Sequence, residues 1–200
     1  MIAVVDYGVG NLFSLVSSLK SIGADVVVTG DAEVINSADK IILPGVGAFG
    51  DAIEKLRATG LDKVVVERAK AGVPLLGICL GMQLLFSSSL EYGVHDGLGL
   101  IDGEIVPLEG VINPDLKIPH IGWNALNKKG ESKLLRYVNE GECVYFVHSY
   151  YAKSNDSVIA TAEYDIPVTA CVEKGNVCGC QFHPEKSGEV GLRILKAFVE

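Results

Sequence analysis

Gly77-Ile78-Cys79-Leu80-Gly81-Met82-Gln83 follows the apolar run Val73-Pro74-Leu75-Leu76 and continues into Leu84-Leu85-Phe86. That order reads as a buried strand, a tight turn and a helix. Glycine two positions before and two after the cysteine is the cysteine counterpart of a nucleophile elbow, a strained turn whose flanks leave no room for side chains. Such a turn lifts Sγ of Cys79 clear of the sheet. A helix starting directly behind it aims unpaired N–H groups and its positive end at the sulfur, which favours thiolate over thiol. The same residues also suit a structural cysteine in a buried strand, since free cysteine is among the most buried residue types. The rest of the chain decides between the two.

Upstream of the elbow, short apolar runs alternate with helical patterns. Ile2 to Val5 reads as a strand, Asp6-Tyr7-Gly8-Val9-Gly10-Asn11 as a glycine turn, and Leu12, Leu15, Val16 and Leu19 fall at helical spacing. The Gly8-x-Gly10 pair lacks the third glycine of a dinucleotide loop, because that position is Phe13. Asp25 to Thr29 and Ile41 to Leu43 give two more strands, the second running into Pro44-Gly45-Val46-Gly47. That loop lies at the C-terminal end of a parallel strand, where open α/β sheets place their ligands, although an ordinary strand-to-helix turn has the same look. Asp51 reads as the cap of a helix carrying Ile53 and Leu56. A second helical pattern from Leu61 to Ala71 stops at Gly72 with Pro74 beyond. These alternations predict a mostly parallel sheet covered by helices on both faces.

Downstream, Ser87 to Gly103 reads as a long polar, Gly-rich loop containing Glu91, expected near the site. The second half changes period. Cys143 to His148, Val158 to Glu163, Val168 to Glu173 and Val177 to Phe182 are β-rich, with Lys174-Gly175-Asn176 as a hairpin turn between the last two. This end is therefore expected to be antiparallel. A final helix from Glu189 puts Val190, Ile194 and Phe198 on one face.

Two hundred residues with 48% hydrophobic content suit one core, and residues 1–200 read as a single domain. No apolar run approaches a membrane span, and Asp6 interrupts the N-terminus before a signal-peptide core forms, so a soluble, cytoplasmic protein is expected. Five cysteines without small-domain spacing point to reduced thiols. A net charge of −8 argues against binding nucleic acid or an anionic membrane and places any phosphorylated substrate on another chain. No cofactor motif is present.

The second informative stretch is Cys178-Gly179-Cys180-Gln181-Phe182-His183-Pro184-Glu185. Alternation along a strand puts Cys178, Cys180 and Phe182 on one face and Gln181 and His183 on the other. The cysteines then turn away from the histidine, and no second pair with zinc spacing completes four ligands, so no metal is expected. They read as small core residues. His183 is then available as the base for Cys79, with Glu185 orienting its imidazole, three roles that need only meet in space. His95, His120 and His148 read as satisfied structural residues.

Taken together, the stretches Gly77 to Gln83 and Gln181 to Glu185 resemble the paired motifs of the class I, triad-type glutamine amidotransferases. Pro44 to Gly47, Pro119-His120-Ile121-Gly122-Trp123-Asn124, Phe146-Val147-His148-Ser149-Tyr150 and His183 to Ser187 resemble one branch in particular, the glutaminase subunits of imidazole glycerol phosphate synthases. The likeness runs from Met1 to Glu200. It implies a flavodoxin-like open sheet without an appended synthetase domain. It also implies hydrolysis of glutamine to glutamate and ammonia through a thioester on Cys79, with His183 and Glu185 completing the triad. A separate cyclase subunit would use the ammonia in histidine biosynthesis, making imidazole glycerol phosphate and aminoimidazole carboxamide ribotide as part of a heterodimer. The N–H of Leu80 is the natural first oxyanion donor, and the Pro44 to Gly47 loop, at Val46, the expected second. By resemblance, Gly47, Gln83, Glu91, Ser149 and Tyr150 surround the glutamine, while Asn11, Trp123, Tyr145 and Lys186 face the cyclase. A cysteine-based redox sensor or non-catalytic binding module on the same fold is the rival of another class, and it gives His183 and Glu185 no role. A sister glutaminase serving anthranilate or aminodeoxychorismate synthesis fits Trp123 and the Pro44 loop less well.

Overall fold

The computed structural model describes residues 1–153 and 156–200. The first half alternates as its periodicity predicts: β1 (Ile2–Val5), α1 (Leu12–Ser21), β2 (Val26–Thr29), α2 (Ala32–Ser37), β3 (Lys40–Leu43), α3 (Phe49–Ala58), α4 (Leu61–Lys70) and β4 (Leu75–Ile78). The short helix α2 is an addition to that reading. Asp31 caps it, accepting a hydrogen bond from the Glu33 N–H. The elbow helix α5 (Leu80–Leu84) lasts only five residues before the chain returns to strand at β5 (Phe86–Ser89).

The region expected to be a long loop between Ser87 and Gly103 instead contains strands. After β5 come β6 (His95–Asp96) and β7 (Ile101–Pro107), and these join a second, smaller sheet. The pattern hid them because only Phe86 and Ser89 of β5 are buried and β6 is two residues long, so neither shows a period-2 apolar face. Next follow β8 (His120–Ala125), β9 (Asn127–Lys128), β10 (Cys143–His148), β11 (Tyr150–Lys153), β12 (Val158–Tyr164), β13 (Ile166–Lys174) and β14 (Val177–Cys180), and the last helix is α6 (Gly188–Val199).

The main sheet has eight strands in the order β2-β1-β3-β4-β14-β13-β12-β9. Its first five are parallel, and β13, β12 and β9 extend it antiparallel. This is the α/β architecture read from the sequence, with the antiparallel strands where the period changed. Strands β1 and β4 are buried along their whole length, as a sheet covered on both faces requires. One face packs Ile53, Leu56, Leu61 and Val65 of α3 and α4. The other packs Leu15, Leu19, Ile194 and Phe198 of α1 and α6 together with Cys171, Cys178, Cys180 and Phe182. Cys178, Cys180 and Phe182 thus share one face, the one covered by α1 and α6.

The fold delivers the site through one adjacency. Strand β14 lies parallel beside β4, with Cys180 opposite Ile78, so the residues that follow each strand emerge next to one another.

Candidate active site

Cys79 stands between β4 and α5 at φ 55 and ψ −113, a left-handed backbone that side-chain-bearing residues rarely adopt. The flanking glycines show why the turn can be so sharp. A Cβ on Gly77 would lie 2.7 Å from the Gly81 carbonyl oxygen and from the Met82 nitrogen. One on Gly81 would overlap the Leu43 carbonyl oxygen and stand 2.8 Å from the Leu43 carbon. The Cys79 N–H donates to the Cys180 carbonyl at 2.8 Å, which stitches the elbow to β14.

Beyond β14 the chain is pinned at several points before it delivers His183. The Gln181 N–H donates to the Ala170 carbonyl, and the His183 N–H donates to the Tyr145 carbonyl at 3.1 Å. The Ser187 hydroxyl donates to the His183 carbonyl at 2.7 Å while accepting from the Tyr145 N–H at 3.0 Å. Pro184 then opens a 3₁₀ turn, Pro184–Lys186, that folds Glu185 back under the ring, so His183 Nδ1 and Glu185 Oε1 lie 2.8 Å apart. Both side chains are only 4% exposed. The other carboxylate oxygen, Oε2, is buried without a hydrogen-bond partner among the described residues.

The opposite ring nitrogen is left for the nucleophile, and Cys79 and His183 line the same cavity. Burial alone would lower the His183 pKa, but its interactions with Cys79 and Glu185 outweigh it. The net effect raises the pKa to about 9, so His183 is held as imidazolium. A histidine in that state is poised to give up a proton.

These groups open onto a cavity of about 300 Å³ lined by Val46, Gly47, Cys79, Leu80, Gln83, Glu91, Ser149, Tyr150 and His183. The triad, oxyanion and glutamine-contacting candidates named from the sequence thus come together. Pro119, Val147 and His148 line it as well. The Pro44 to Gly47 loop rests directly on the elbow, because a Cβ on Gly45 would meet the Gly81 nitrogen at 2.8 Å and the Leu80 Cβ at 3.0 Å.

Asp51 does not cap α3, contrary to the sequence expectation. The N-cap position is Ala48, Asp51 lies within the first turn, and the Phe49 N–H at the helix start donates to Glu91 Oε2 at 2.7 Å. A carboxylate 42 residues downstream replaces the local cap. Burial pushes the Glu91 carboxyl up from its ordinary value, opposed by the Phe49 N–H. This bond orients Glu91 toward the cavity that it lines.

Two contributors were not singled out as site residues. Gln181 is fully buried, its Nε2 stands 3.9 Å from Cys79 Sγ, and its Oε1 accepts from Gln83 Nε2 at 3.0 Å. Its strand parity with His183 was the available signal. His148, read as structural, donates from Nδ1 to the Tyr150 carbonyl at 2.9 Å, and its Nε2 lies 3.0 Å from His120 Nδ1. Burial lowers the His148 pKa to about 3 and also depresses that of His120, so His148 is neutral. No local motif announces a pair formed between β8 and β10.

Of the four residues expected to face a partner, three are exposed and Tyr145 is half-buried. Trp123 and Tyr145 are register partners on β8 and β10 with ring centroids 6.0 Å apart, and Trp123 is 56% exposed. Asn11 and Lys186 are exposed.

The family model for class-I glutamine amidotransferases matches residues 3–200. The chain is 49% identical over 202 residues to the imidazole glycerol phosphate synthase subunit HisH of Geobacillus sp. (strain WCH70), covering 99% of this chain and 95% of that one. It is 47% identical to the protein of the same name from Wolinella succinogenes, over 100% and 99% of the two chains. Among solved structures, a crystal structure of a glutamine amidotransferase superposes with a TM-score of 0.76 at 19% identity, covering 99% of each chain.

Proposed function

This chain belongs to the class-I glutamine amidotransferase family, and from that premise we propose that it is the glutaminase subunit of an imidazole glycerol phosphate synthase. It hydrolyses glutamine to glutamate and ammonia and passes the ammonia to a separate cyclase subunit in histidine biosynthesis. Residues 1–200 work as one glutaminase domain in a heterodimer with that cyclase. The observation that carries the reading is the meeting of Cys79 and His183 on one cavity, with Glu185 buried behind the His183 ring at 2.8 Å, in a chain 47–49% identical to two synthase subunits over nearly its whole length.

Each step uses groups already placed. The Cys79 thiolate attacks the carboxamide carbon of glutamine, forming a C–S bond and an oxyanion. The N–H groups of Leu80 and Val46 receive that oxyanion. As the C–N bond breaks, the His183 imidazolium gives its proton to the departing nitrogen, which leaves as ammonia. The neutral imidazole then takes a proton from water as its oxygen attacks the thioester. C–S cleavage releases glutamate and restores the thiolate–imidazolium pair. Glu185 holds the ring and stabilises its charge. Gly47, Gln83, Glu91, Ser149 and Tyr150 hold glutamine, with the Glu91 carboxylate the natural partner for the substrate ammonium. Asn11, Trp123, Tyr145 and Lys186 meet the cyclase.

The redox-sensor alternative gives no reason for a buried carboxylate to hold His183 as imidazolium against Cys79. Glutamate release from glutamine, with and without a histidine-pathway cyclase subunit, tests the proposal. Cys79→Ala should abolish release while cyclisation supplied with free ammonium persists. Release by Cys79→Ala near the wild-type rate would sink it.

A further inference from the structure

One buried hydroxyl beside this site has no part in the chemistry above. Tyr7 follows β1 and is 4% exposed, with its ring in the core. Its hydroxyl donates to the Pro44 carbonyl at 2.8 Å and would lie 2.9 Å from a Cβ on Gly45. We infer that Tyr7 is a positioning residue for glutamine hydrolysis: by holding the Pro44 carbonyl, its hydroxyl sets where the Gly45–Val46 peptide stands over Cys79. This rests on the glutaminase reading above.

The support for Tyr7 is rigid. Strand β1 lies between β2 and β3, with Val4 opposite Ile42, and the Asp6 N–H extends the pairing to the Thr29 carbonyl at 2.9 Å. Strand β3 ends at Leu43, so the hydrogen bond spans the C-terminal ends of two adjacent strands and meets the loop at its first residue. The loop is held from two other sides. Below, Gly81 and Leu80 touch Gly45, and beside it a Cβ on Gly10 would stand 3.5 Å from the Pro44 ring carbons. With the Pro44 carbonyl held by Tyr7 and Gly45 packed against the elbow, the first residues of the loop have a fixed seat. Val46 and Gly47 then project, exposed, into the cavity.

Burial, and next the charge at Cys79, raise the Tyr7 phenol well above its ordinary range. Tyr7 therefore stays a neutral donor wherever the enzyme works, and it contributes no proton to the reaction. Its effect is geometric. An oxyanion donor is worth its full stabilisation only within about 2.7–3.1 Å of the developing charge, so a loop that drifts by a fraction of an ångström loses rate without losing substrate. A tyrosine that merely filled the core would act through its ring, and its hydroxyl would be dispensable to turnover.

Tyr7→Phe separates the two, because it keeps the ring and removes only the donor. In the complex with the cyclase subunit, kcat for glutamine should fall at least tenfold. KM should stay within twofold, since Gln83, Glu91 and Tyr150 are untouched, and alkylation of Cys79 by iodoacetamide, which needs no oxyanion donor, should also stay within twofold. An unchanged kcat overturns the inference. So does a parallel loss of kcat, alkylation and melting temperature, which marks a purely structural residue. Should the wild-type complex release no glutamate, the glutaminase reading fails and this inference with it; an active wild type and an equally active Tyr7→Phe refute this inference alone.

Discussion

Gly81→Ala tests whether crowding at the elbow fixes the spacing between nucleophile and oxyanion loop. In a helix, alanine for glycine ordinarily stabilises by roughly 0.5–1 kcal/mol. Here the new Cβ would overlap the Leu43 carbonyl oxygen and stand 2.8 Å from its carbon and 3.1 Å from that of Pro44. Comfortable carbon–carbon separations are about 3.5–4.0 Å, so the carbon contact alone requires the elbow and the end of β3 to part by at least about 0.7–1.2 Å, and the overlapped oxygen requires more. Overpacking of this kind costs about 1–3 kcal/mol, which for a chain of this size lowers the melting temperature by roughly 2–12 °C. The displaced segment leads straight into the Pro44 to Gly47 loop, and a misplacement of about 1 Å at reacting groups costs on the order of 10²-fold. The expected result is therefore a folded but less stable protein whose glutamine turnover, measured as glutamate release in the presence of the cyclase, falls about a hundredfold. A variant that melts higher than wild type, as helix propensity alone predicts, and turns over glutamine within threefold of it would refute the crowding argument.

Other outcomes follow from the same geometry. His183→Ala should lower turnover by ~10²–10⁴, whereas His95→Ala should not, because the His95 ring lies tilted beside Phe49, 6.2 Å away, and does not line the cavity; equal losses would mean the base is misassigned. Val46 is 41% exposed and is not among the residues with positive φ. If turning its N–H toward the oxyanion strains the β-branched residue by roughly 1–3 kcal/mol, Val46→Gly should raise partner-free glutaminase activity about 5- to 150-fold, and a mutant no faster than wild type contradicts this. Folding stability should peak near pH 6.5. Below that value His148, with a folded pKa of about 3, resists the proton that the unfolded chain takes up, so stability falls by up to about 1.4 kcal/mol per pH unit. Above it His183, with a raised pKa, gives back its stabilisation as pH rises through about 9. Urea titrations from pH 4.5 to 9.5 would show both limbs, and a stability flat across that range would rule out these protonation states.

What the sequence disclosed, and what it hid, divides along local and non-local lines. The elbow was legible because its requirement is local: Gly77 and Gly81 are the residues that a Cβ would jam, and their spacing about Cys79 is visible in seven letters. The parallel half was legible because strands such as Ile2–Val5 and Leu75–Ile78, buried along their whole length, must be continuous apolar runs. Strand parity likewise put Cys178, Cys180 and Phe182 on one face of the sheet and Gln181 and His183 on the other. Failures came where a distant residue did the work. Glu91 receives the first N–H of α3, so Asp51 looked like a cap without being one. Strands β5 and β6 lie in a small sheet with little buried surface, and no periodicity marks them. The Tyr7–Pro44 bond and the His120–His148 pair join residues 37 and 28 positions apart, and neither leaves a trace in spacing.

The central claim is that the Cys79 sulfur forms a covalent bond with the substrate. Acid-quenching the cyclase complex during turnover of isotopically labelled glutamine, followed by mass spectrometry of the proteolysed chain, tests it directly. A γ-glutamyl thioester confined to the peptide that carries Cys79, absent in Cys79→Ala and decaying as labelled glutamate appears, is the predicted result. Steady glutamate release with no adduct on Cys79, or with the label on another residue, would contradict it.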